Sequence, residues 1–176
     1  TDVTGVQTCA LPIYEEIGSK HSSEHIINAC YGAKGVVIAE PCGPNGAVKI
    51  KRKGIALLNA IITGKPAHSG IEPERGADAN KALVELINKI NHILQKYPDI
   101  YFNPGVLAGG VKVNVVSPDS WLDSEMRSFD AKHLVLALDE IKKLECEGAI
   151  TLKIFTEMSR FPLEFTDANR RLYDIA

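Results

Sequence analysis

The chain has 176 residues, of which 45% are hydrophobic and 24% charged, and its formal net charge is −2. These proportions are typical of a soluble folded domain, and no apolar run is long enough to cross a membrane. The basic residues are scattered, which argues against a nucleic-acid or membrane partner and leaves the cytoplasm as the expected location. Four cysteines without a C-x-x-C spacing are expected to be separate reduced thiols: Cys9, Cys30, Cys42 and Cys146.

The first part of the chain predicts four features in succession. Thr1–Ile13 has no clear period and resembles translated sequencing-adapter read-through, so we expect a foreign leader there. A short helix is predicted over Ser19–Tyr31, and the compact apolar run Gly35–Ala39 predicts a buried strand. The turn residues of Cys42–Gly46 then indicate a domain boundary.

Residues 53–160 predict a second unit with the order strand, helix, strand, strand, helix, strand. The first strand is predicted over Gly54–Thr63, and the first helix is capped by Asp78 and closed by Pro98. Two strands follow over Val106–Val116 and Trp121–Phe129, around a turn at Ser117–Ser120. The second helix is capped by Asp130 and has its apolar face formed by Leu134, Leu138, Ile141 and Leu144, and the last strand covers Ile150–Met158. This is the split βαβ, ferredoxin-like pattern, so the predicted fold class is α+β. We expect a four-stranded antiparallel sheet with two helices on one face. Another helix is predicted to begin at Asp167.

Three carboxylates in the first part of the chain are candidates for chemistry. Glu15 and Glu16 precede the first predicted helix, where adjacent acids are usually solvated and favour the helix dipole. Glu40 follows the predicted buried strand, at the position where α/β sheets place active sites. An ordinary loop carboxylate explains Glu40 equally well.

Short motifs along the chain give these residues a context. They are Glu15–Ser19, Ala39–Pro41, Gly64–Gly70, Pro73–Ala79, Gly109–Gly110, Asn114–Pro118 and Met126–Arg127. In this order and spacing they resemble metallopeptidase family M-twenty, which contains glutamate carboxypeptidases, aminoacylases, acetylornithine deacetylase and succinyl-diaminopimelate desuccinylase. The resemblance covers residues 14–176. It implies a homodimeric di-zinc hydrolase that cleaves an amide bond, peptide or N-acyl, next to a free carboxylate.

The resemblance also implies a domain for each segment and roles for the early carboxylates. Residues 53–160 would be the dimerisation, or lid, domain, while 14–52 and 161–176 would be parts of an α/β zinc catalytic domain. Glu15 would be the general base, and Glu16 and Glu40 would each ligate one of two zinc ions, with cobalt or manganese as substitutes.

Three residues of the second unit acquire roles from the same resemblance. His68 would reach the partner subunit's active site and stabilise the tetrahedral oxyanion, whereas taken alone it would be a loop histidine without a role. Asn114 and Arg127 would bind the carboxylate end of the substrate. On local sequence alone, Arg127 is equally well explained as a strand residue paired with Glu125 or Asp123.

The chain departs from the family pattern in ways that affect activity. Tyr14 stands where the family usually has Asp. The upstream ligand His, the Asp that bridges both zinc ions and the downstream ligand His have no counterpart. The chain by itself is therefore expected to be inactive and to bind zinc weakly, because a catalytic zinc normally needs three protein ligands.

Two alternative functions remain open from the sequence. His21-Ser22-Ser23-Glu24-His25 matches the H-x-x-E-H motif of a mononuclear zinc peptidase, with both histidines one helical turn apart. A ferredoxin-like module that only binds or dimerises is the non-enzymatic alternative. Zinc content distinguishes the three hypotheses, since they require two ions, one ion and none.

Overall fold

The computed structural model describes residues 22–37 and 43–175. In chain order the elements are α1 (Ser23–Cys30), β1 (Gly54–Thr63), α2 (Ala79–Leu94), β2 (Tyr101–Gly109), β3 (Asp119–Ser128), α3 (Ala131–Ile141), β4 (Thr151–Arg160) and α4 (Asp167–Ile175). Short 3₁₀ turns occupy Pro44–Gly46 and Pro73–Arg75. Over these ranges, no helix is long and apolar enough to span a membrane.

The four strands form one antiparallel sheet in the order β2-β3-β1-β4. Alternate residues of the central strands, among them Leu58 and Ile62 on β1 and Leu122 on β3, are fully buried in a core with α2 and α3. The α+β class and the ferredoxin-like order are therefore confirmed, and so are both helices on one face.

Both core helices begin at the predicted aspartates. The Asp78 carboxylate accepts hydrogen bonds from the backbone N–H groups of Asn80 and Lys81, at 3.0 and 3.2 Å. The Asp130 carboxylate accepts from the N–H of His133 at 3.0 Å. Each cap satisfies N–H groups that have no partner within the helix, which typically stabilises a helix by about 1 kcal/mol.

The segments that lead into β1 and away from β4 run side by side. Arg52 and Leu163 exchange two backbone hydrogen bonds, of 3.1 and 2.9 Å, in an antiparallel bridge. The same register reaches the first pair of the sheet, where Ile55 is opposite Arg160, and it shifts after that pair. The chain therefore enters β1 and leaves β4 at the same end of the sheet, on adjacent segments.

The predicted position of β2 is wrong. The strand spans Tyr101–Gly109 instead of Val106–Val116, and residues 110–118 form a connection to β3. Pro104 and Gly105 look like a break in the sequence, but β2 is an edge strand and its register shifts between Asn103 and Val106. An edge strand tolerates proline at such a bulge, because the missing N–H is not needed by a neighbour.

Other element boundaries also differ from the predictions by a few residues. β3 begins at Asp119, inside the predicted turn Ser117–Ser120, because Asp119 pairs with Thr63 at the end of β1. α3 ends at Ile141, so Leu144 packs on the core from beyond the helix.

In the first part of the chain, α1 covers only Ser23–Cys30 of the helix predicted from Ser19; residues before Ser22 lie outside the described ranges. Residues 35–37 are not a buried strand: Val36 and Val37 are 53% and 85% exposed. A strand buried on both faces needs neighbouring strands, and these residues pair with none of β1 to β4. The rest of that prediction, Ile38 and Ala39, lies outside the described residues, as does the leader predicted at 1–13.

Candidate functional site

A closed loop at the end of β1, residues 64–78, carries His68; we call it the His68 loop. Its two ends are joined because Lys65 and Ala77 exchange backbone hydrogen bonds of 2.9 Å in both directions. The ends are also attached to the segment before β3, since Gly64 N–H donates to Pro118 at 2.7 Å and Ala79 N–H to Ser117 at 2.9 Å. The loop is therefore held at its base by the sheet.

The middle of the His68 loop pairs with the connection between β2 and β3. Val116 N–H donates to the carbonyl of Ala67 at 3.0 Å, and Ser69 N–H donates to the carbonyl of Asn114 at 3.0 Å. His68 and Asn114 are thus brought together on adjacent backbone segments, and both are exposed. Two of the three predicted site residues in this unit consequently lie at the same end of the sheet.

Glycine permits the close approach of these segments. A Cβ on Gly64 would lie 2.1 Å from the carbonyl oxygen of Ala77, and a Cβ on Gly76 would lie 2.8 Å from the side chain of Val116. Neither distance is possible for a real side chain, so both positions require glycine for the loop to close. Gly64 and Gly76 therefore help to fix the position of His68 by allowing its loop to close.

Exposed aliphatic side chains occur in the His68 loop and in the connection that pairs with it. Ile71, Val111 and Val113 all project into solvent, and Val113 is fully exposed. Among the residues that the structure describes, the ring makes one hydrogen bond, in which Gly70 N–H donates to Nδ1 at 3.2 Å. Several exposed aliphatic side chains on neighbouring segments are typical of a surface that another molecule covers.

Arg127 lies far from this pair of residues. It is eight residues beyond Asp119 on β3, which corresponds to about 27 Å along an extended strand. Its guanidinium makes two hydrogen bonds to the Glu125 carboxylate, of 2.7 and 3.1 Å, so the local alternative of an ion pair is present. The hydrogen bonds to Glu125 raise the pKa of Arg127, against a smaller lowering by burial. One small substrate therefore cannot contact Arg127 and Asn114 of the same copy.

The predicted zinc residues and general base, Glu15, Glu16 and Glu40, lie outside the described residues. Of the H-x-x-E-H motif, His21 is outside as well, and Glu24 and His25 are exposed on α1. Within residues 22–37 and 43–175, no three His, Cys, Asp or Glu side chains come together in a way that could hold a metal ion. Cys30 and Cys146 are free thiols.

One polar cluster was not predicted from the sequence. Asp99, in the loop between α2 and β2, accepts hydrogen bonds from Ser128 Oγ and from His133 Nδ1, the latter at 2.6 Å. The aspartate lies between the other two, whereas a nucleophilic triad requires histidine between serine and aspartate. The cluster therefore ties the loop to the start of α3, and no local pattern could have revealed it because its members are distant in sequence.

Comparison with known proteins adds a family to this geometry. The family model described as the peptidase dimerisation domain matches residues 50–144. Carboxypeptidase G2 of a Pseudomonas species is 28% identical over 168 residues, covering 92% of this chain and 40% of the relative. The uncharacterized protein YqjE of Bacillus subtilis is 27% identical over 133 residues, covering 76% of this chain and 34% of the relative. The chain thus spans about a third to two fifths of these relatives.

Solved structures share the fold at lower identity. Aminopeptidase PepT from Bacillus cereus has a TM-score of 0.59 at 20% identity, covering 76% of this chain and 37% of that one. An amidase of the hydantoinase/carbamoylase family from Burkholderia multivorans has a TM-score of 0.60 at 17% identity, covering 71% and 32%. The same backbone arrangement therefore occurs in enzymes that carry both peptidase and amidase names.

Proposed function

The chain belongs to the peptidase dimerisation domain family, and on that premise we propose that it is part of a di-zinc hydrolase that cleaves an amide bond beside a free carboxylate. The observation that carries this proposal is the pairing of the His68 loop with Asn114 at an exposed end of the sheet. Peptides or N-acyl amino acids are the proposed substrates, and carboxypeptidase or deacylase chemistry fits both. We place the enzyme in the cytoplasm.

We propose the following organisation for the longer protein. Residues 53–160 form the dimerisation domain, 14–52 and 161–176 belong to a catalytic domain, and 1–13 are a foreign leader. Bound zinc would polarise the amide carbonyl and lower the pKa of the attacking water, with Glu16 and Glu40 as ligands. Glu15 would remove the proton from that water, which requires a base beside the metal that is not itself a ligand.

His68 would act on the oxyanion that forms when water adds to the carbonyl. A hydrogen-bond donor placed where negative charge develops lowers the barrier, typically by about 2.7–4 kcal/mol, and contributes little to ground-state binding. The exposure of His68 and of the aliphatic side chains of Ile71, Val111 and Val113 supports an approach of this loop to another surface. We propose that this surface is the active-site cleft of a second subunit.

The distance between Asn114 and Arg127 supports a site assembled from two copies. A dipeptide spans about 7 Å when extended, far less than the roughly 27 Å that separate the two ends of β3. If both residues bind the carboxylate end of one substrate, they must come from different subunits. Asn114 would then arrive with His68 from one subunit, and Arg127 would belong to the other.

The two edge strands of the sheet differ in a way that favours β2 as the dimer contact. β2 has no charged residue, whereas β4 carries Lys153, Glu157 and Arg160. Charged side chains discourage strand pairing at an edge, whereas β2 is uncharged and pairs regularly with β3 beyond the bulge at Pro104 and Gly105, over Val106–Gly109. Leu107 of β2 faces the helix-covered side, opposite Leu122, yet is 51% exposed. We propose that two copies pair antiparallel through β2, as a two-fold axis requires.

A subunit-mixing experiment tests the proposed function. In the full-length protein, His68→Ala and Glu15→Gln should each remove most turnover and retain zinc. Mixed dimers of the two variants contain one site with an intact Glu15 and an intact His68 from its partner, so about half of the wild-type activity per mixed dimer should return. As a control, His92→Ala removes another exposed histidine of the same unit and should leave activity intact.

Mixed dimers that form but stay inactive would exclude a role for His68 in the partner's site. Loss of zinc from Glu15→Gln would mean that the base and ligand roles are wrongly assigned. The chain of 176 residues by itself is proposed to be inactive and to retain little zinc. Tight binding of one zinc ion by this chain would instead support the H-x-x-E-H alternative, with Glu24 as the base. A full-length protein that binds no zinc at all would support the alternative of a non-enzymatic module that only binds or dimerises.

A further inference from the structure

We propose that the backbone N–H of Gly70 fixes the tautomer of His68, so that Nε2 carries the ring proton and faces outward as a hydrogen-bond donor. Gly70 is then a positioning residue for His68. The catalytic value of this arrangement rests on the proposed function, whereas the tautomer itself does not. The observation behind it is the 3.2 Å hydrogen bond from Gly70 N to His68 Nδ1.

The chemistry of the two partners assigns the proton. A backbone amide N–H can only donate, so Nδ1 of His68 must accept and cannot carry a hydrogen. A neutral imidazole has one ring proton, which must then be on Nε2. An exposed histidine without such a partner exchanges between both tautomers in water.

The backbone of the His68 loop holds the donor in place. The carbonyl of His68 accepts hydrogen bonds from the N–H groups of Ile71 and Glu72, at 3.2 and 3.1 Å, which closes a turn around Gly70. Since the base of the loop is joined by the bonds between Lys65 and Ala77, the turn has a fixed support. The orientation of the imidazole is therefore set before any ligand arrives.

The other ring nitrogen is available. In the part of the chain that the structure describes, the only hydrogen bond of the His68 ring is the one at Nδ1, and the residue is exposed. A protonated Nε2 can donate to a developing oxyanion, but it has no lone pair with which to accept a proton or bind a metal. The tautomer thus selects the donor role for His68 and excludes the roles of general base and of metal ligand through Nε2.

The direct test is NMR spectroscopy of the ¹⁵N-labelled 176-residue chain at a pH where its imidazoles are neutral. We expect a hydrogen on His68 Nε2, none on Nδ1, and a ¹⁵N–¹⁵N scalar coupling across the hydrogen bond between Nδ1 and the Gly70 amide. His92, an exposed histidine of α2, is the internal reference for an unconstrained ring. From the usual net strength of a hydrogen bond, the Nε2–H tautomer of His68 should be favoured about fivefold more than that of His92. A His68 ring with the tautomer ratio of His92 and no coupling would overturn the proposal.

Two variants of Gly70 separate the hydrogen bond from the shape of the loop. Gly70→Ala keeps the N–H, and its Cβ would lie 3.7 Å from Nδ1 and Cε1 of His68, an ordinary contact, so the wild-type tautomer should persist. Gly70→Pro removes the N–H, and the His68 ring should revert to the ratio seen for His92. An unchanged tautomer in a folded Gly70→Pro would overturn the proposal; if that variant does not fold, the coupling in the wild-type chain decides. Neither measurement depends on turnover, so this inference and the subunit-mixing experiment can fail independently.

Discussion

Arg127 can form an ion pair with a neighbouring acid and can also bind a substrate carboxylate. Its sequence context allows an ion pair with a neighbouring acid as well as a role in binding a substrate carboxylate, and the structure contains the ion pair with Glu125. The two roles compete, because the same planar fork of N–H groups serves both carboxylates. A substrate would have to displace Glu125 from an exposed pair, which is a small cost.

Neutralising Glu125 should therefore improve substrate binding if Arg127 binds the substrate. If the full-length protein is the proposed hydrolase, Glu125→Gln is expected to lower its KM up to about fivefold, since exposed ion pairs contribute about 0.2–1 kcal/mol. Arg127→Lys should raise KM because an ammonium group cannot make the paired contact. Glu85→Gln, an exposed acid on α2, is the control. An unchanged KM in both Glu125→Gln and Arg127→Lys would remove Arg127 from the site.

The Asp99 cluster predicts a pH-dependent contribution to stability. Burial raises the pKa of Asp99, but the hydrogen bonds from Ser128 and His133 outweigh it and hold the pKa below the ordinary value of 3.8. A lowered folded-state pKa stabilises the fold above pH 3.8, and this stabilisation is lost as the pH falls through the folded-state pKa.

Asp99→Asn should lower the free energy of unfolding by about 1 kcal/mol at pH 7, a reduced value because the side chain is 38% exposed. Urea unfolding of both proteins between pH 7 and 2 should show the difference vanish at the acidic end. Asp139→Asn removes an exposed pair with Lys142 and should have no such pH dependence. If the unfolding free energies of the two proteins still differ at pH 2, the destabilisation comes from altered packing or hydrogen-bond geometry and not from loss of the Asp99 charge.

At the scale of elements, the sequence predicted those that local rules determine. β1 and the caps of α2 and α3 follow from alternation and from the capping chemistry of Asp78 and Asp130. The error at β2 arose because the apolar alternation of residues 111–116 resembles a strand, while its hydrogen bonds go to the His68 loop. Only the tertiary pairing distinguishes the two, so periodicity alone could not place the strand. The site was predicted from motifs, but the separation of Arg127 from Asn114 required the register of β3.

The closed conformation of the His68 loop should be more sensitive to substitution of Gly64 than to substitution of Gly70. A Cβ at Gly64 would clash with the Ala77 carbonyl, so Gly64→Ala must open the bonds between Lys65 and Ala77. We expect a loss of about 1–3 kcal/mol of unfolding free energy, the usual cost of forcing extra volume into a packed site. Hydrogen exchange at the amides of Lys65 and Ala77 should accelerate. Gly70→Ala, in the same loop but with room for the Cβ, is the control, and equal exchange in the two variants would contradict the role of Gly64.

At the scale of the whole molecule, one sheet face is covered by helices and the other carries exposed aromatic and charged side chains. Trp121 and Phe155 lie on the open face with Ile61, next to Asp123, which accepts a 2.5 Å hydrogen bond from Asn59. The edges, the open face and the His68 loop are therefore surfaces through which this unit can contact other molecules. Of these, the uncharged edge β2 is the one proposed to form the dimer.

The edge proposal predicts that a charge on β2 disrupts self-association. Leu107→Lys should weaken the dimer at least about tenfold in sedimentation experiments, because the ammonium would be buried against a second copy. Phe155→Lys is the matched control, since Phe155 is 54% exposed on the opposite edge strand. Dissociation by Phe155→Lys but not by Leu107→Lys would move the contact to β4. A chain that is monomeric at all concentrations would exclude the edge contact for this length of protein.

The bridge between Arg52 and Leu163 makes the stretch between them suitable for insertion, removal or circular permutation in the gene. Because Ile55 and Arg160 are neighbours in the sheet, the whole stretch between them begins and ends at one place. A surrounding protein could accept or lose this stretch as an insert without moving its own two flanking segments apart, and a linker of a few residues would close the gap. The same closeness makes the stretch suitable for circular permutation, with the old ends joined at this bridge and new termini opened in an exposed connection such as residues 145–149 between α3 and β4.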